Sequence, residues 1–360
     1  MIRPNPHIAA RKPYALANMG AADGAPLISL AQNESLRSPS PKAIAAAAWA
    51  SESLAFYPDP DWLTLRAGLS ELHGLPRDSI LCGAGSLDLI GALARVYAGS
   101  SRAVLTPAHA YPFFRTAAQM ACARFDTAVE EGGRVSVDAL LSAVRPDTGI
   151  VFVANPGNPT GTRLSRVELL CLREGLRGDI LLVIDEAYGE FADHLDARCF
   201  DMVVRGDTVV LRTFSKAYGL AGARVGWGTC PPEIATELRK VLNPNNISAT
   251  SQAAAAAALA DQAYMQETCR LTMAIGREAA ERLRKVGVSV ADSYTNFLLL
   301  EFDTSEQAKA IEDALRAKGV ILRRQAGAGL PHALRMTLGP APWVDQALDL
   351  LVALTQEAKR

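Results

Sequence analysis

The stretch ILLVIDEAY, residues 180–188, decides the fold class because a continuous apolar run leads directly into acidic and aromatic residues. Runs of the same kind, short and rich in β-branched residues, recur between about residues 80 and 230 and alternate with helical stretches. These runs are Ala103–Thr106, Gly149–Ala154, Ile180–Ile184, Thr208–Thr213 and Ala223–Gly228. Strands without apolar–polar alternation are typical of burial on both faces. The pattern therefore predicts an α/β fold with a mainly parallel sheet flanked by helices.

The composition of the 360-residue chain argues against a disordered protein and against an unspecific nucleic-acid binder. Hydrophobic residues make up 49% of the sequence and the formal net charge is −1, so the chain can bury a large core. Basic and acidic residues balance at 37 and 38, whereas binding to nucleic-acid phosphates needs an excess of Lys and Arg. We therefore expect no nucleic-acid partner and one large or two unequal domains.

The distribution of apolar residues, cysteines and histidines favours a cytoplasmic protein without a metal. Apolar runs such as Ala253–Ala260 are far shorter than the roughly 18–20 residues that cross a membrane, so we expect no membrane partner. Pro4, Pro6 and Pro13 interrupt the N-terminal stretch, where a secretion signal needs an apolar core. Six cysteines without paired spacing are typical of reduced thiols, and five dispersed histidines predict no metal site.

Changes in composition divide the chain into three predicted parts. Residues 1–40 are rich in Pro, Asn and Ser and are expected to form an arm that packs with the small domain or with a partner subunit. Residues 41–244 contain the alternating runs and are expected to form a large domain. Residues 245–360 begin with a long helical region and are expected to form a smaller α+β C-terminal domain. The strands predicted there are Asn296–Phe302, Val320–Arg323 and Ala333–Leu338.

Polar residues follow three predicted strands of the large domain, at the carboxyl ends where open α/β sheets bind ligands. They lie in NPGNPTG (residues 155–161), DEAY (185–188) and FSKAYGLAGAR (214–224). Lys216 becomes a nucleophile toward carbonyls when burial or a nearby cation keeps its amine partly neutral. Asp185 is suited to pair with a protonated pyridine nitrogen. Alone, these two residues would more often be a surface lysine and a helix cap, but their positions at neighbouring strand ends favour a site.

Several further residues are candidates for binding anions or planar rings. The turn GAGS, residues 83–86, precedes a predicted helix whose first amides favour a phosphate, although many such turns bind nothing. Tyr111 could stack on a planar ring or be a core aromatic residue. Arg323 and Arg335 suit carboxylate or phosphate groups, although a solvated arginine is the simpler alternative. That alternative is stronger for Arg324, whose side chain should alternate away from that of Arg323.

The succession of NPGNPTG, DEAY and SK followed by GLAGARVGW resembles the class I and II aminotransferases, pyridoxal-phosphate enzymes of fold type I. The joint spacing is specific, with 27 residues from Asn158 to Asp185 and 31 from Asp185 to Lys216. The similarity covers nearly the whole chain. YPDPDWLTLRAGLSELHGL, from residue 57 to residue 75, and the ending with GVILRR and GLPHALRMTLG are most similar to the histidinol-phosphate aminotransferases.

The resemblance implies a set of residues that bind pyridoxal 5′-phosphate and carry the chemistry. Lys216 would form the Schiff base with the cofactor, and Asp185 would pair with its pyridine nitrogen. Tyr188 and Asn158 would hold the ring hydroxyl, and Tyr111 would stack on the ring. Lys216, Asp185 and Tyr188 are thus the expected catalytic residues. The residues that would hold the cofactor phosphate are Gly85, Ser86, Ser215 and Arg224.

The resemblance also implies a homodimer and two substrate-binding arginines. Tyr57 would reach the cofactor phosphate of the other subunit. Arg335 would bind the α-carboxylate of an amino acid. Arg323, with Tyr14 beside it, would meet the phosphate of a phosphorylated substrate.

The implied reaction transfers an amino group between an amino acid or amine and a 2-oxo acid, with glutamate and 2-oxoglutarate as expected co-substrates. A threonine-phosphate-type decarboxylase and an aromatic-amino-acid aminotransferase stay open as alternatives within the fold. Two departures leave the substrate open, namely GAGSLD where the family usually has GNGSDE, and HAYP where that branch usually has PTY or PTF. A nicotinamide-dependent dehydrogenase is disfavoured because no GxGxxG turn follows a first strand. A pyridoxal-phosphate-binding regulator is disfavoured because the arm is too short for a DNA-binding region.

Overall fold

The computed structural model describes residues 2–9 and 27–357, in which strands and helices alternate along most of the chain. Its strands, in chain order, are β1 (Ile28–Ser29), β2 (Ile80–Gly83), β3 (Ala103–Pro107), β4 (Phe125–Ala128), β5 (Glu130–Glu131), β6 (Arg134–Val135), β7 (Thr148–Ala154), β8 (Leu181–Asp185), β9 (Thr208–Thr213), β10 (Gly226–Thr229), β11 (Ser289–Val290), β12 (Phe297–Glu301), β13 (Val320–Ile321), β14 (Arg323–Gln325) and β15 (Leu330–Thr337). Its helices are α1 (Pro6–Ala9), α2 (Pro41–Ala50), α3 (Leu63–His73), α4 (Ser86–Tyr97), α5 (Pro112–Met120), α6 (Val137–Ser142), α7 (Arg166–Gly175), α8 (Pro232–Arg239), α9 (Ala249–Leu259), α10 (Gln262–Lys285), α11 (Ser305–Ala317) and α12 (Ala341–Glu357).

The larger sheet has seven strands in the order β2-β10-β9-β8-β7-β3-β4. Neighbouring strands from β9 to β4 run parallel, whereas β10 is antiparallel to both β2 and β9. Strands β7, β8 and β9 are buried along nearly their whole length, as expected for strands covered on both faces. The predicted α/β fold, with a mainly parallel sheet flanked by helices, is confirmed.

Local sequence signals set the ends of several helices around this sheet. The hydroxyl of Ser165 accepts from the amide of Glu168, and the Glu168 side chain accepts from the amide of Ser165, which forms a capping box that begins α7. Gly74 ends α3 with a left-handed backbone (φ 66°), a conformation that glycine adopts without strain. The helices that flank the sheet therefore follow from signals that are readable in the sequence.

Two strand predictions differ from the structure, and two strands of the larger sheet, β2 and β4, are not predicted at all. The strand expected over Ala223–Gly228 begins only at Gly226, because a 3₁₀ turn ends at Ala223 and Arg224 has a left-handed backbone with φ of 55°. The strand expected over Val320–Arg323 is two strands, since β13 pairs with β1 and β14 pairs with β15. Strand β4 is not expected from the sequence, because its residues FDTA form no apolar run at this edge of the sheet.

A second sheet, in the order β11-β12-β15-β14, packs with α10, α11 and α12 around a separate core. All of its strand pairs are antiparallel, which gives the smaller α+β unit that the sequence predicts. The end of the predicted arm joins this unit, because β1 pairs with β13 and Leu30 is buried in the second core.

The division of the chain at residue 244 stays a prediction, and the packing favours a later boundary. Residues after this point still belong to the first core, among them Ile247, Ala255 and Cys269. Ala279 and Leu283, near the end of α10, belong to the second core. One continuous helix thus passes from one core to the other, so a change in composition could not mark the boundary.

Two further observations concern the helices and the cysteines. Across residues 2–9 and 27–357, no helix combines the length and the apolar character needed to span a membrane. All six cysteines are free thiols, and Cys122 and Cys171 are the exposed ones.

Candidate active site

A cavity of about 470 Å³ lies at the carboxyl ends of β7, β8 and β9. The register of the sheet sets Asp185, the last residue of β8, opposite Ala154 of β7 and Leu211 of β9. Ten residues predicted for the site line this cavity, namely Ser86, Tyr111, Asn158, Asp185, Tyr188, Ser215, Lys216, Arg224, Arg323 and Arg335. The fold therefore brings together side chains from both of its units.

Two other predicted residues, Gly85 and Tyr57, are described by the structure but do not line the cavity. Gly85 lies beside it, against the guanidinium group of Arg224. Tyr57 is 89% exposed and lies outside the cavity of its own subunit. Tyr14 falls outside the described residues, so its role stays a prediction.

Asp185 presents a buried carboxylate to the cavity. Its side chain is 4% exposed, and its Oδ1 accepts a hydrogen bond from the amide of Ala187 at 3.1 Å. Within residues 2–9 and 27–357, no basic side chain forms an ion pair with it. Burial therefore raises the pKa of Asp185 to about 7, and the charge of Glu186 adds to the effect. A ligand that brings a positive charge to this carboxylate would relieve the cost of its burial.

Lys216 is half-buried and presents its amine to the same cavity. Its Nζ donates to the carbonyl oxygen of Asn33 at 2.8 Å and to that of Gln32 at 3.4 Å. Burial lowers the pKa of Lys216 to about 7, and the positive charges of Arg335 and Arg224 contribute to the decrease. A large fraction of the amine is therefore neutral near pH 7, which is the form that attacks a carbonyl carbon.

A chain of hydrogen bonds fixes the polar wall between these two groups. The Tyr188 hydroxyl oxygen accepts from Nδ2 of Asn33 at 2.8 Å and from Nδ2 of Asn158 at 3.5 Å. Nη1 of Arg335 donates to Oδ1 of Asn158 at 2.7 Å, so the orientation of this amide is defined. The Tyr188 ring packs edge-on against Phe297, with centroids 5.3 Å apart. The wall thus joins the large sheet to strands of the second unit.

An anion-binding corner lies at the N-terminus of α4. Gly85 has a φ of 82° and precedes Ser86, and a Cβ on Gly85 would overlap the guanidinium group of Arg224. Gly226 of β10 packs directly on the amide nitrogen of Ser86, where a Cβ would also overlap. Nη1 of Arg224 donates to Oγ of Ser215 at 3.4 Å. A helix N-terminus, hydroxyl groups and a guanidinium group together fit a phosphate.

Two arginines of the second unit reach the cavity from adjacent strands. Arg323 of β14 and Arg335 of β15 are register partners and line the same cavity. Nη2 of Arg335 also donates to the carbonyl oxygen of Ala31 at 3.0 Å. Gln325 lines the cavity as well, whereas Arg324, between Arg323 and Gln325, is not among its lining residues. This is the alternation of side chains that a strand produces.

Asn33 is a central residue of the site that sequence reasoning misses. Its backbone amide donates to Oγ1 of Thr337 at 2.9 Å. Its backbone carbonyl oxygen accepts from Nζ of Lys216 and, at 3.0 Å, from Nδ2 of Asn296. Its side chain donates to Tyr188, and its φ is 56°. The sequence signal is weak, because an asparagine with a left-handed backbone predicts only a turn.

The donor set fits pyridoxal phosphate. The carboxylate of Asp185 suits a ring nitrogen, the amine of Lys216 suits an aldehyde, and the corner at the start of α4 suits the phosphate. Tyr111 offers an aromatic ring at the same wall, where its ring lies edge-on to Phe114 with centroids 5.8 Å apart. The cavity volume leaves room for a small substrate beside the cofactor.

Comparisons with known proteins give an independent result. The profile of the family described as aminotransferase class I and II matches residues 25–351. The histidinol-phosphate aminotransferase of Ruegeria sp. strain TM1040 is 43% identical over 312 residues, which are 86% of each chain. That of Paramagnetospirillum magneticum is 41% identical over 347 residues, covering 93% of this chain and 94% of the relative. The crystal structure of histidinol-phosphate aminotransferase from Sinorhizobium meliloti in complex with pyridoxal-5′-phosphate has a TM-score of 0.92 at 28% identity and covers 99% of both chains.

Proposed function

The chain belongs to the class I and II aminotransferases and uses pyridoxal phosphate, and from this premise we propose that it transfers an amino group between histidinol phosphate and 2-oxoglutarate. The observation that carries the proposal is that two guanidinium groups, those of Arg323 and Arg335, reach the cavity that contains Lys216. The relatives at 43% and 41% identity, both named histidinol-phosphate aminotransferase, support the proposal.

The two arginines suit two anionic substrates of different shape. Histidinol phosphate has no α-carboxylate, so Arg335 would serve glutamate, the amino acid formed from 2-oxoglutarate. Arg323 is its register partner on the neighbouring strand and would bind the phosphate of histidinol phosphate. A guanidinium group can bind either a carboxylate or a phosphate through two parallel hydrogen bonds.

Several residues would hold the cofactor in place. Asp185 would pair with the ring nitrogen, and Tyr188 and Asn158 would contact the ring hydroxyl. Tyr111 would cover one face of the ring. The phosphate would be held by Gly85, Ser86, Ser215 and Arg224. When bound there, the cofactor supplies an electron sink for the carbon that carries the transferred amine.

Lys216 would move the proton in the reaction. Its amine, which has a pKa of about 7, can accept a proton from the substrate Cα and deliver it again within the cavity. The carbonyl oxygen of Asn33, 2.8 Å from Nζ, orients the amine toward the cavity wall. Asp185 would stay ionised opposite a cationic ring nitrogen, because that charge offsets the effect of burial on its pKa.

A panel of half-reactions tests the substrate. The holoenzyme is mixed with histidinol phosphate, glutamate, an aromatic amino acid or threonine phosphate, and conversion of the cofactor to its amine form is followed by absorbance. We expect the fastest conversions with histidinol phosphate and glutamate. A faster conversion with the aromatic amino acid, or release of CO₂ from threonine phosphate, would contradict the proposal.

The neighbours Arg323 and Arg324 provide a matched pair of variants. Both are half-buried residues of β14, but only Arg323 lines the cavity. Arg323→Gln should raise KM for histidinol phosphate about 10–100-fold, because a charge-assisted hydrogen bond to phosphate is lost. Its effect on the glutamate half-reaction should be smaller. Arg324→Gln should leave both half-reactions within about twofold of wild type, and an equal effect of the two variants would contradict the assignment.

We also propose a homodimer in which Tyr57 reaches the cofactor phosphate of the partner subunit. Tyr57 closely follows Trp49, Leu54 and Phe56 in the sequence, and all four side chains are apolar or aromatic and exposed, which favours a protein partner for this stretch. A mixed dimer of Tyr57→Ala and Lys216→Ala subunits would contain one site with both native residues. Activity of the mixture above that of either variant alone supports the proposal, whereas no gain on mixing contradicts it.

A cytoplasmic location is the last part of the proposal. The six cysteines are free thiols, and two of them are exposed, which fits a reducing compartment. Fractionation of cells that produce the tagged chain tests this, and recovery of the chain outside the cytoplasmic fraction would contradict it.

A further inference from the structure

The segment that begins with the last residue of β8, residues 185–193, has one face on the cavity and another on a group of buried charges. Asp185 and Tyr188 line the cavity. The acids between and after them turn away from it and meet Arg212, which lies in β9. We call the members of this group the charge cluster, and they are Arg212, Glu186, Glu190 and Asp193.

Arg212 binds this segment near its start and at its end. Its Nε and Nη2 donate to Oε2 of Glu186 at 2.9 and 2.7 Å. Its Nη1 and Nη2 donate to Oδ2 and Oδ1 of Asp193 at 2.9 and 2.7 Å. Oε1 of Glu190 lies 3.5 Å from Nη1. Glu186 follows Asp185 directly in the chain. The position of Arg212 therefore constrains the position of the Asp185 carboxylate in the cavity.

The guanidinium group of Arg212 also packs on the backbone beside Tyr188. A Cβ on Gly189 would lie 2.8 Å from Cζ of Arg212, so only glycine allows this close approach. The ring of Phe200 also faces this group, with its centroid 4.9 Å from Cζ. Backbone hydrogen bonds from Gly189 to Glu186 and from Phe191 to Tyr188 keep the segment folded on itself.

We propose that Arg212 is a positioning residue that fixes Asp185 and Tyr188 where they would contact the ring nitrogen and the ring hydroxyl of the cofactor. The inference rests on the proposed roles of these two residues. Arg212 is not among the residues that line the cavity, and its side chain is 2% exposed. It would therefore act only through Glu186, Asp193 and the backbone at Gly189.

The positive charge of Arg212 supports the same role. The charge of Glu186 already contributes to the raised pKa of Asp185, and burial raises the pKa of Glu190 to about 7 although Arg212 is close. Without Arg212, Glu186 and Glu190 would lie beside Asp185 with no ion-pair partner in the part of the chain that the structure describes, and Asp193 would keep only Arg198, whose Nε donates to its Oδ2 at 3.0 Å. Ionisation of Asp185 would become less favourable, and its pairing with a cationic ring nitrogen would weaken.

Arg173 of α7 provides a matched control. Its side chain is fully buried, as is that of Arg212, and it also lies in the large unit. It donates to the carbonyl oxygens of Ile180 and Asp207 at 2.8 and 3.0 Å, which precede β8 and β9. Arg173 thus holds the edge of the sheet opposite to the cavity, so its loss should affect stability without reaching the site.

The test compares Arg212→Lys with Arg173→Lys in the holoenzyme. For each variant we would measure the melting temperature, the pH midpoint of the visible absorption of the bound cofactor, and kcat and KM for glutamate. Both variants should have a lower melting temperature. Arg212→Lys should also move the pH midpoint upward by about half a unit or more, because a displaced Tyr188 hydroxyl stabilises the deprotonated chromophore less. Its kcat should fall about 10–100-fold with a smaller change in KM, as for misplaced catalytic groups.

Arg173→Lys should keep the pH midpoint and kcat of wild type. If Arg212→Lys fails to fold, Asp193→Asn takes its place, since it removes one charged partner of Arg212 and keeps a hydrogen-bonding side chain. A wild-type pH midpoint and kcat in the folded Arg212 or Asp193 variant would overturn the proposal. The test uses glutamate and the cofactor spectrum, so it stays valid even if histidinol phosphate proves not to be the substrate.

Discussion

Two sets of buried charges lie on opposite faces of residues 185–193, and they differ in how they are paired. In the charge cluster, Arg212 forms ion pairs with Glu186 and Asp193 at 2.7 Å. In the cavity, Asp185 accepts a hydrogen bond from a backbone amide, and Lys216 donates to a backbone carbonyl oxygen. Neither side chain forms an ion pair with another described residue. The charges of the cluster thus have ion-pair partners within the fold, whereas a partner for the charges in the cavity must come from a ligand.

The pKa values of the two aspartates, Asp193 and Asp185, follow the same division, whereas burial still raises the pKa of Glu186 and that of Glu190 within the charge cluster. Burial opposes ionisation of Asp193, but hydrogen bonds and charge from Arg212, together with those from Arg198, outweigh burial and lower the pKa. In the cavity, burial dominates instead, raising the pKa of Asp185 and lowering that of Lys216 until both are about 7. Near neutral pH, both cavity groups therefore spend much of their time in the uncharged form.

Removal of the cavity amine should have the largest effect. Lys216→Ala should lower the rate of amino transfer about a thousandfold or more, because no other group would hold the cofactor covalently and move the proton. The measurement is the glutamate half-reaction, followed by absorbance. Lys240→Ala, which changes an exposed lysine of another helix end, is the control and should react as wild type. A Lys216→Ala protein that reacts at the wild-type rate would exclude the proposed role.

The same change at two aspartates should have opposite effects on stability. The pKa of Asp185 is about 7 in the folded protein against an ordinary value of 3.8, so the cofactor-free protein loses stability as pH rises from about 4 to 7. Asp185→Asn should therefore stabilise cofactor-free protein at pH 8 by about 2–4 kcal/mol. Asp193→Asn should destabilise it at that pH by about 1–3 kcal/mol, since its ionised form is paired.

Urea unfolding of the cofactor-free variants at pH 5 and pH 8 measures both effects. The gain from Asp185→Asn should be smaller at pH 5 than at pH 8, because Asp185 is mostly protonated in the folded protein at the lower pH. The loss from Asp193→Asn should be about the same at pH 5 and pH 8, because both lie above the ordinary pKa of 3.8, and it should shrink as the pH falls from there toward the lowered pKa of Asp193 in the folded protein. Effects of the same sign at pH 8 would show that the two sets of charges do not differ in the way described.

The smallest predicted effect concerns the titration of Lys216. The rate at which cofactor-free protein reacts with pyridoxal should rise with pH and level off above about 7, as the amine loses its proton. Arg335→Gln should move this midpoint upward by less than about one pH unit, because a nearby positive charge is removed. Pyridoxal without its phosphate is the probe, so that the contact with Arg224 does not enter the measurement.

Arg324→Gln is the control for this titration and should keep the wild-type midpoint. A midpoint near the ordinary value of 10.5 for lysine in wild-type protein would contradict the role of burial. An unchanged midpoint in Arg335→Gln would contradict only the contribution of its charge.

The sequence predicted the sheet and the residues at the strand ends, because both follow from local patterns. Asp185 directly follows one apolar run, and Lys216 closely follows another. Parallel strands bring such ends to one edge of a sheet. The sequence does not predict the left-handed backbone of Arg224. This backbone delays the start of the next strand, and it is accompanied by contacts of Arg224 with Ser215 and Ala221 that no local pattern shows.

The residues that sequence reasoning missed depend on contacts between distant parts of the chain. Arg212 lies within an apolar run, and its function follows from acids that become its neighbours only when β8 and β9 pair. Asn33 lies in the arm, and its partners Tyr188, Lys216 and Thr337 are all far away in the sequence. The role of Tyr57 depends on a second subunit and stays a prediction.

The pairing of β1 with β13 has a consequence for the order of events during synthesis. Ile28 is among the early residues to leave the ribosome, yet its register partner Val320 comes near the end of the chain. The arm that carries Asn33 to Lys216 can therefore dock only when translation is almost complete, as a contact of very high sequence separation. A nascent chain halted before residue 320 should capture pyridoxal phosphate much less well than the finished protein, which cofactor fluorescence on stalled ribosomes can measure.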